Sequence, residues 1–364
     1  MASSKPFRLL HLPSLAHDVI FLLIDIEDVY YLSKCSTRSR YAVKMFTRRQ
    51  TYDFKITADK SCYILKVSRE GGKGGKKFIE LRYRDAVDAP MVVPYWKDNW
   101  AAAQEEILYL SDVFTRQVNH CHFSDTTKVI KTTEFLKRAT PSPVEYVYYY
   151  NDRTVIDDEI YKYVLKEFKN AKELIIGGSP STDFRFDEME PFTGYDIFIS
   201  HADWVTVDHL IRCFSNVEKV SLKSMDAKRC LITPQLMPQF FNAWRNGLRM
   251  RCLELECDWS KIEFQAMFEN VPKTEVKRAE GRQLDKTEFQ EGRCYLIRQK
   301  ESGVEAIAYR TYDSFYFTTD FRLLRDDESV EYGNFDTDFD EDSDDSGDDF
   351  FDAGPWNSDS DEVF

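Results

Sequence analysis

The first 50 residues carry apolar side chains at the spacing of short helices. Three helices are predicted, over residues 14–23, 27–34 and 37–48. In the first, Leu15, Val19, Leu22 and Leu23 fall at helical spacing, and Ser14 and Ser36 are placed to cap the first and third helices. Helices this short bury little surface by themselves. Their apolar faces therefore need a binding partner or the domain that follows.

The third predicted helix is both amphipathic and basic. Tyr41, Met45 and Phe46 are expected to form its apolar face. The surrounding positions are basic: Arg38, Arg40, Lys44, Arg48 and Arg49. A solvated basic face accounts for these residues more simply than contact with nucleic acid, so nucleic-acid binding is not expected.

The spacing changes to strict alternation after residue 50, which predicts β-strands. Three strands are predicted near residues 52–56, 62–67 and 78–83. Residues 71–77, GGKGGKK, lie between the last two of these strands. They fit no phosphate-binding loop register and are expected to form a basic hairpin loop.

From residue 99 a helical stretch followed by a short strand occurs five times. The strands are predicted at residues 118–123, 144–149, 173–176, 217–222 and 251–257. Helix–strand units at such spacing predict an irregular, leucine-rich-repeat-like solenoid with a parallel sheet. Residues 177–203, aromatic and acidic, are expected to bulge from one edge, and the segment 293–319 is expected to form a closing hairpin. The predicted fold class is therefore α/β, or α+β over the whole chain.

The negative charge of the chain is concentrated at its C-terminal end. Of the 63 acidic residues, 17 lie in residues 326–364, which contain no Lys or Arg. The other residues carry 46 acids and 49 bases and are nearly neutral. This composition predicts a disordered acidic tail. No apolar run is long enough to span a bilayer and no signal peptide is seen, so an intracellular, soluble protein is expected.

No residue pattern indicates catalysis or a bound cofactor. The eight cysteines contain no C-x-x-C pair and are expected to be reduced core thiols. His120 and His122 face one side of a predicted strand and Cys121 the other, without a third zinc ligand. Asp342, Asp344 and Gly347 match half of an EF-hand loop whose final Glu is missing. Neither a metal site nor a cofactor is predicted.

The N-terminal segment resembles an F-box. The similarity rests on the Leu12–Pro13 pair, the spaced aliphatic residues and the L-S-x-C-S sequence that begins at Leu32 and precedes a basic helix. More specifically, it is similar to the F-box of an expanded group of nematode proteins that carry a type-2 F-box-associated domain. The helix that carries Phe240 and Trp244 and the closing hairpin resemble that associated domain.

The resemblance implies a domain division and a function. Residues 1–49 would be the F-box, 50–325 the associated repeat-like domain with β-hairpin caps, and 326–364 the acidic tail. An F-box binds a Skp-type adaptor and through it a cullin, while the associated domain recruits a protein substrate for ubiquitination. The implied adaptor-binding residues are Leu12, Pro13, Val19, Ile20, Leu23 and Leu32. Cytoplasmic and/or nuclear localisation follows, and no membrane partner is implied.

Two alternatives remain open at this point. The first is a free-standing interaction scaffold that acts on basic partners through its acidic tail. The second is a hydrolase or thiol enzyme carried by the same scaffold, which would require a cysteine with a positioned base. The substrate of the expected adaptor is unknown, because recognition by a repeat scaffold depends on surface side chains that form no motif.

Overall fold

A computed structural model describes residues 13–69, 78–84, 99–140, 142–150, 155–224, 230–256, 264–281, 284–311 and 314–325. The α-helices in these residues are α1 (Ser14–Leu23), α2 (Ile26–Cys35), α3 (Thr37–Thr47), α4 (Asn99–Val113), α5 (Thr126–Ala139), α6 (Asp158–Glu167) and α7 (Met237–Arg245). The predicted tail, the GGKGGKK loop and the partial EF-hand match lie outside the described residues. The protein is a mixed α/β structure built around one large sheet.

Sixteen strands accompany these helices in the described residues. Strands β1–β6 are Tyr52–Ala58, Cys62–Arg69, Phe78–Arg84, His120–Phe123, Tyr146–Tyr149 and Glu173–Ile176. Strands β7–β11 are Asp196–Ile199, Lys219–Lys223, Cys252–Glu256, Thr274–Glu275 and Arg278–Gly281. Strands β12–β16 are Leu284–Glu288, Cys294–Arg298, Glu305–Arg310, Ser314–Thr318 and Phe321–Leu323.

The three N-terminal helices lie where the apolar spacing predicts them, with two differences in detail. Pro13, rather than Ser14, precedes the first helical residue. Ser36 does cap α3, because its Oγ accepts a hydrogen bond from the backbone N–H of Ser39 at 3.0 Å. The predicted apolar face of α3 is wrong: Phe46 is buried, but Tyr41 is 66% exposed and lies on the solvent side.

Thirteen strands form one continuous sheet in the order β10-β13-β14-β15-β9-β8-β7-β6-β5-β4-β1-β2-β3. Strands β4 to β9 are parallel and adjacent in chain order, and β1 joins them through a parallel pairing with β4. Along most of these strands buried and half-exposed residues alternate. The helices cover the buried face, and the other face is open to solvent over most of its width.

The predicted solenoid is wrong. In a solenoid the strands repeat with one kind of connection and end in separate caps. Here the expected caps are strands of the same sheet, since β1–β3 and β13–β15 continue it in antiparallel pairing beyond both ends of the parallel strands. The connections also differ: no α-helix lies between β6 and β7, and only a π-helical turn, His209–Cys213, lies between β7 and β8.

The segment 177–203 does not bulge from the edge of the sheet, as the sequence had suggested. It contains β7, which lies between β6 and β8 in the middle of the parallel strands. No α-helix lies between β6 and β7, and the side chains of Phe184 and Phe186 are buried there instead. Phe184 packs edge-on against Tyr161 and Trp204, at ring-centroid distances of 5.0 and 5.3 Å. Burial of these aromatic rings explains why the segment turns inward.

The closing strands end the main core and begin a second one. β15 pairs with β9, so the predicted hairpin is present as part of an antiparallel meander. A small sheet, in the order β12-β11-β16, packs over β14 through Ile307 and Tyr309. On the opposite face of the main sheet, Trp244 of α7 is fully buried against Phe317, with ring centroids 4.9 Å apart. No helix in the described parts of the chain is long and apolar enough to cross a bilayer.

Candidate functional site

The outer face of α1 is a row of exposed aliphatic side chains. Leu15, Val19 and Leu23 are 77%, 57% and 79% exposed, and Leu22 is 48% exposed. Residues four apart share one side of a helix, so the first three form a continuous apolar stripe. An amphipathic helix on the surface of a globular protein normally turns this stripe inward. On α1 it points to solvent, which marks it as a candidate docking surface.

The inner side of α1 is anchored to the protein by Phe21. Phe21 is fully buried and stacks on Phe46 of α3 with ring centroids 4.8 Å apart. Arg69 of β2 adds a hydrogen bond from Nη1 to the carbonyl oxygen of Leu22 at 3.3 Å. The helix is thus held at a fixed position while its aliphatic side chains remain outside.

Helices α2 and α3 dock on α4 through a polar and aromatic contact. The hydroxyl group of Tyr30 donates to Glu106 at 3.0 Å, and Lys34 forms an ion pair with the same carboxylate at 3.0 Å. The ammonium group of Lys34 also lies 3.7 Å from the ring centroid of Tyr109. Burial, reinforced by the charge of Glu106, raises the pKa of Tyr30, so this phenol stays a hydrogen-bond donor.

A second group of contacts fixes α3 to the C-terminal end of α4. Arg40 donates to the carboxylate of Asp112 at 2.8 Å, and Lys44 pairs with the other oxygen of the same group. The hydrogen bond from Lys44 is the largest cause of the lowered pKa of Asp112. Thr47 donates to the backbone carbonyl of Val113 at 2.6 Å. Two of the three basic residues of α3, Arg40 and Lys44, therefore face the body of the protein rather than solvent.

The predicted adaptor-binding residues are only partly brought together by this arrangement. Pro13, Val19 and Leu23 are exposed at or on α1, whereas Ile20 is half-buried. Leu32 packs partly against the main core, and Leu12 lies outside the described residues.

Five further apolar side chains of α1, α2 and α3 are exposed and are not among the predicted adaptor-binding residues: Leu15, Leu22, Tyr31, Tyr41 and Met45. Leu15 and Leu22 carried the same helical spacing as Val19 and could have been included. Tyr41 could not have been assigned, because only the docking of α3 on α4 decides which side of that helix is buried.

A second surface is the open face of the sheet. Aligned positions of adjacent strands form a row across it: Thr57, His122, Tyr148, Ile175, Phe198 and Ser221. The neighbouring row contains Lys55, His120, Tyr146, Glu173, Asp196 and Lys219. One row is thus largely aromatic and aliphatic at its centre and the other is mainly charged, a composition suited to contact with another polypeptide.

The predicted division of the side chains of β4 is confirmed: His120 and His122 lie on this face and Cys121 on the other. His120 stacks on Tyr146 at a centroid distance of 4.3 Å, while Cys121 is fully buried on the helix side. Burial, with a contribution from Lys55, lowers the pKa of His122 to about 4. No group of three metal-ligating side chains occurs among the described residues.

The buried thiols are poorly suited to nucleophilic chemistry. Burial raises the pKa of Cys213 to about 11 and that of Cys252 and Cys294 to about 12. The thiol of Cys121 is shifted in the same direction by complete burial. A reactive cysteine requires a lowered pKa and access to solvent, so none of these four thiols fits the role.

Comparison of the chain with family models, with curated proteins and with solved structures found no match.

Proposed function

We propose that this protein is a non-catalytic, substrate-recruiting subunit of a Skp–cullin–F-box ubiquitin ligase, acting in the cytoplasm and/or nucleus. In this proposal the N-terminal helices are the F-box and bind the Skp-type adaptor. The large sheet and its helices then bind the protein substrate. Ubiquitin chemistry takes place on other subunits, so the chain itself supplies no catalytic group.

The observation that supports the proposal is the exposed aliphatic stripe of α1. A helix of ten residues that turns three aliphatic side chains outward loses hydrophobic stabilisation unless another surface covers them. Apolar anchors at the centre of an interface supply most of its binding energy. The F-box resemblance identifies the partner that would cover this stripe, since the resemblance places Val19 and Leu23 among the adaptor-binding residues.

The rigid attachment of the helices is also consistent with an adaptor role. A recruiting subunit must hold its substrate at a defined position relative to the ligase. The contacts of Glu106 and Asp112 join α2 and α3 to α4. Helix α4 packs in turn on β2 and β3, so that both surfaces belong to one body. The open sheet face and the α1 stripe would then bind substrate and adaptor without competing for the same residues.

The test is direct binding of the full chain to a purified Skp-type adaptor, measured by isothermal titration calorimetry. The double variant Leu15→Asp/Leu23→Asp should weaken binding about 100-fold. Covering the exposed three-quarters of each leucine is worth about 1–2 kcal/mol, and a total near 3 kcal/mol corresponds to that factor. Both residues are exposed, so the circular dichroism and melting temperature should not change.

The matched control is Leu108→Asp/Ile130→Asp, which changes two exposed aliphatic residues on other helices, 48% and 41% exposed. This control should bind the adaptor like the unmodified chain. Absence of adaptor binding by the unmodified chain, or equal binding by both double variants, would refute the adaptor role. Loss of the main cellular partner on removal of residues 326–364, with the helices intact, would instead favour the free-standing scaffold.

A further inference from the structure

Two lysines lie side by side on the open sheet face. Lys55 of β1 and Lys66 of β2 are direct partners in the antiparallel register, and both side chains are half-buried. Directly opposed like charges destabilise a strand pair. The pKa of Lys55 is lowered by burial and then by the charge of Lys66, as expected for two ammonium groups that repel each other.

Neither lysine forms an ion pair with an acid in the described part of the chain. The ammonium group of Lys66 lies 4.1 Å from the ring centroid of Phe78, which is its cation–π contact. The adjacent Glu80 is in register with Lys66 but pairs with Arg82 at 2.6 Å. Asp53, on the same strand as Lys55, instead approaches His120 at 3.8 Å.

The other lysines of this face show how the same sheet neutralises a charge. Lys219 pairs with Asp196 of the neighbouring strand at 3.0 Å. Lys223 pairs with Glu256 of β9, the strand on the other side of β8. Lys55 and Lys66 therefore differ from Lys219 and Lys223 on the same surface, because neither forms an ion pair with an acid among the described residues. A half-buried charge is normally paired because its desolvation is costly.

We propose that the acidic segment 326–364 of this chain docks on the surface formed by Lys55 and Lys66. The segment carries 17 carboxylates and no Lys or Arg, so its charge is complementary to the lysine pair. The aromatic row beside the lysines, with His122 and Tyr148, offers contacts for the phenylalanines of the same segment.

The attachment point of the segment allows this contact. Arg325, the residue before it, lies beside β11, where its carbonyl oxygen accepts a hydrogen bond from Arg278 at 3.0 Å. Seven strand spacings separate β15 from β1, roughly 34 Å at about 4.8 Å each. A chain of 39 residues can span several times that distance, up to about 130 Å.

Covalent attachment favours this occupant over an acidic peptide from another protein. A segment joined to the same chain is present at an effective concentration near the millimolar range. A separate acidic ligand would have to displace it. The inference is independent of the adaptor role of the N-terminal helices, because it involves neither α1 nor a second protein.

The test uses the full chain and a carbodiimide, which couples a carboxylate to a lysine in direct contact. Trypsin then releases residues 326–364 as a single peptide, because the segment contains no Lys or Arg. Mass spectrometry should identify Lys55 and Lys66 as its principal coupling sites. The yield should fall at least tenfold in about 0.5 M salt, where exposed charges more than a few ångströms apart are screened.

The variant Lys55→Gln/Lys66→Gln should lose most of the coupling between the segment and the body of the protein. The matched control Lys219→Gln/Lys223→Gln removes the same charge from the same face and should keep it. Mixing isotopically labelled and unlabelled chains separates coupling within a chain from coupling between chains. Coupling spread evenly over exposed lysines, coupling only between chains, or an unchanged yield in the Lys55→Gln/Lys66→Gln variant would overturn the proposal.

Discussion

Replacement of Phe21 by Ala should detach α1 while the rest of the fold remains intact. A fully buried Phe replaced by Ala costs about 3–5 kcal/mol, which includes the contact with Phe46 at 4.8 Å. Among the described residues, α1 also accepts a hydrogen bond from Arg69 at 3.3 Å, worth about 1 kcal/mol. The substitution therefore removes the larger of these two contributions to the free energy that holds α1 in place.

The measurement is amide hydrogen exchange in the full chain. A loss of about 3 kcal/mol should make the amides near the C-terminal end of α1 exchange roughly 100 times faster. The strands of the sheet should keep their protection, because Phe21 lies at the edge of the core and stacks on α3. The control Leu23→Ala, at a position that is 79% exposed, should leave exchange unchanged.

Two results would refute this reasoning. Unchanged exchange in α1 would mean that other contacts hold the helix, and that the buried ring is not its main attachment. Equal acceleration in α1 and in the sheet would mean that the helix and the sheet open together. In the expected case, Phe21→Ala should also weaken binding to a Skp-type adaptor, because the aliphatic stripe loses its fixed position.

Two further perturbations test the sheet. Asn119 is 5% exposed, and its side chain accepts a hydrogen bond from the backbone N–H of Phe54 at 2.8 Å and donates one to Asp53 at 3.1 Å. The substitution Asn119→Leu should therefore lower the free energy of unfolding, measured by urea denaturation, by about 1–3 kcal/mol. An unchanged denaturation midpoint would contradict this role. Folding lowers the pKa of His122 from 6.5 to about 4. Between these pH values the unfolded chain therefore binds more protons than the folded chain. The free energy of unfolding should fall as the pH drops from 6.5 towards 4, by about 3 kcal/mol at most. The variant His122→Gln should reduce that pH dependence, and an identical slope in both proteins would show that other groups cause it.

The sequence predicted regular elements best where one face of an element is buried. The alternation of residues 52–56 and 62–67 predicted β1 and β2, because in each strand nearly every second side chain enters the core. Half-exposed and buried residues also alternate in β7, Asp196–Ile199. No strand was predicted there, because no predicted helix preceded it. The aromatic residues before this strand were predicted to lie in a surface insertion. Neither their spacing nor their composition shows that their side chains are buried where other strands are preceded by a helix.

The candidate site was predictable to a similar extent. The helical spacing of Leu15, Val19 and Leu23 indicated an apolar stripe, and this spacing holds whether the stripe faces inward or outward. Its exposure depends on Phe21 and Phe46, whose stacking fixes the rotation of α1. The lysine pair could not be recognised, because Lys55 and Lys66 become neighbours only through the register of β1 and β2.

What the sequence determined by itself was local: where most of the helices and longer strands form, which cap begins α3, and where the negative charge lies. These features depend on side chains within a few residues of one another. The tertiary structure decided which strands pair, so that the expected caps became strands of one sheet. It also decided which apolar side chains stay exposed and which lysines lack an acid, since both properties depend on contacts between residues far apart in the chain.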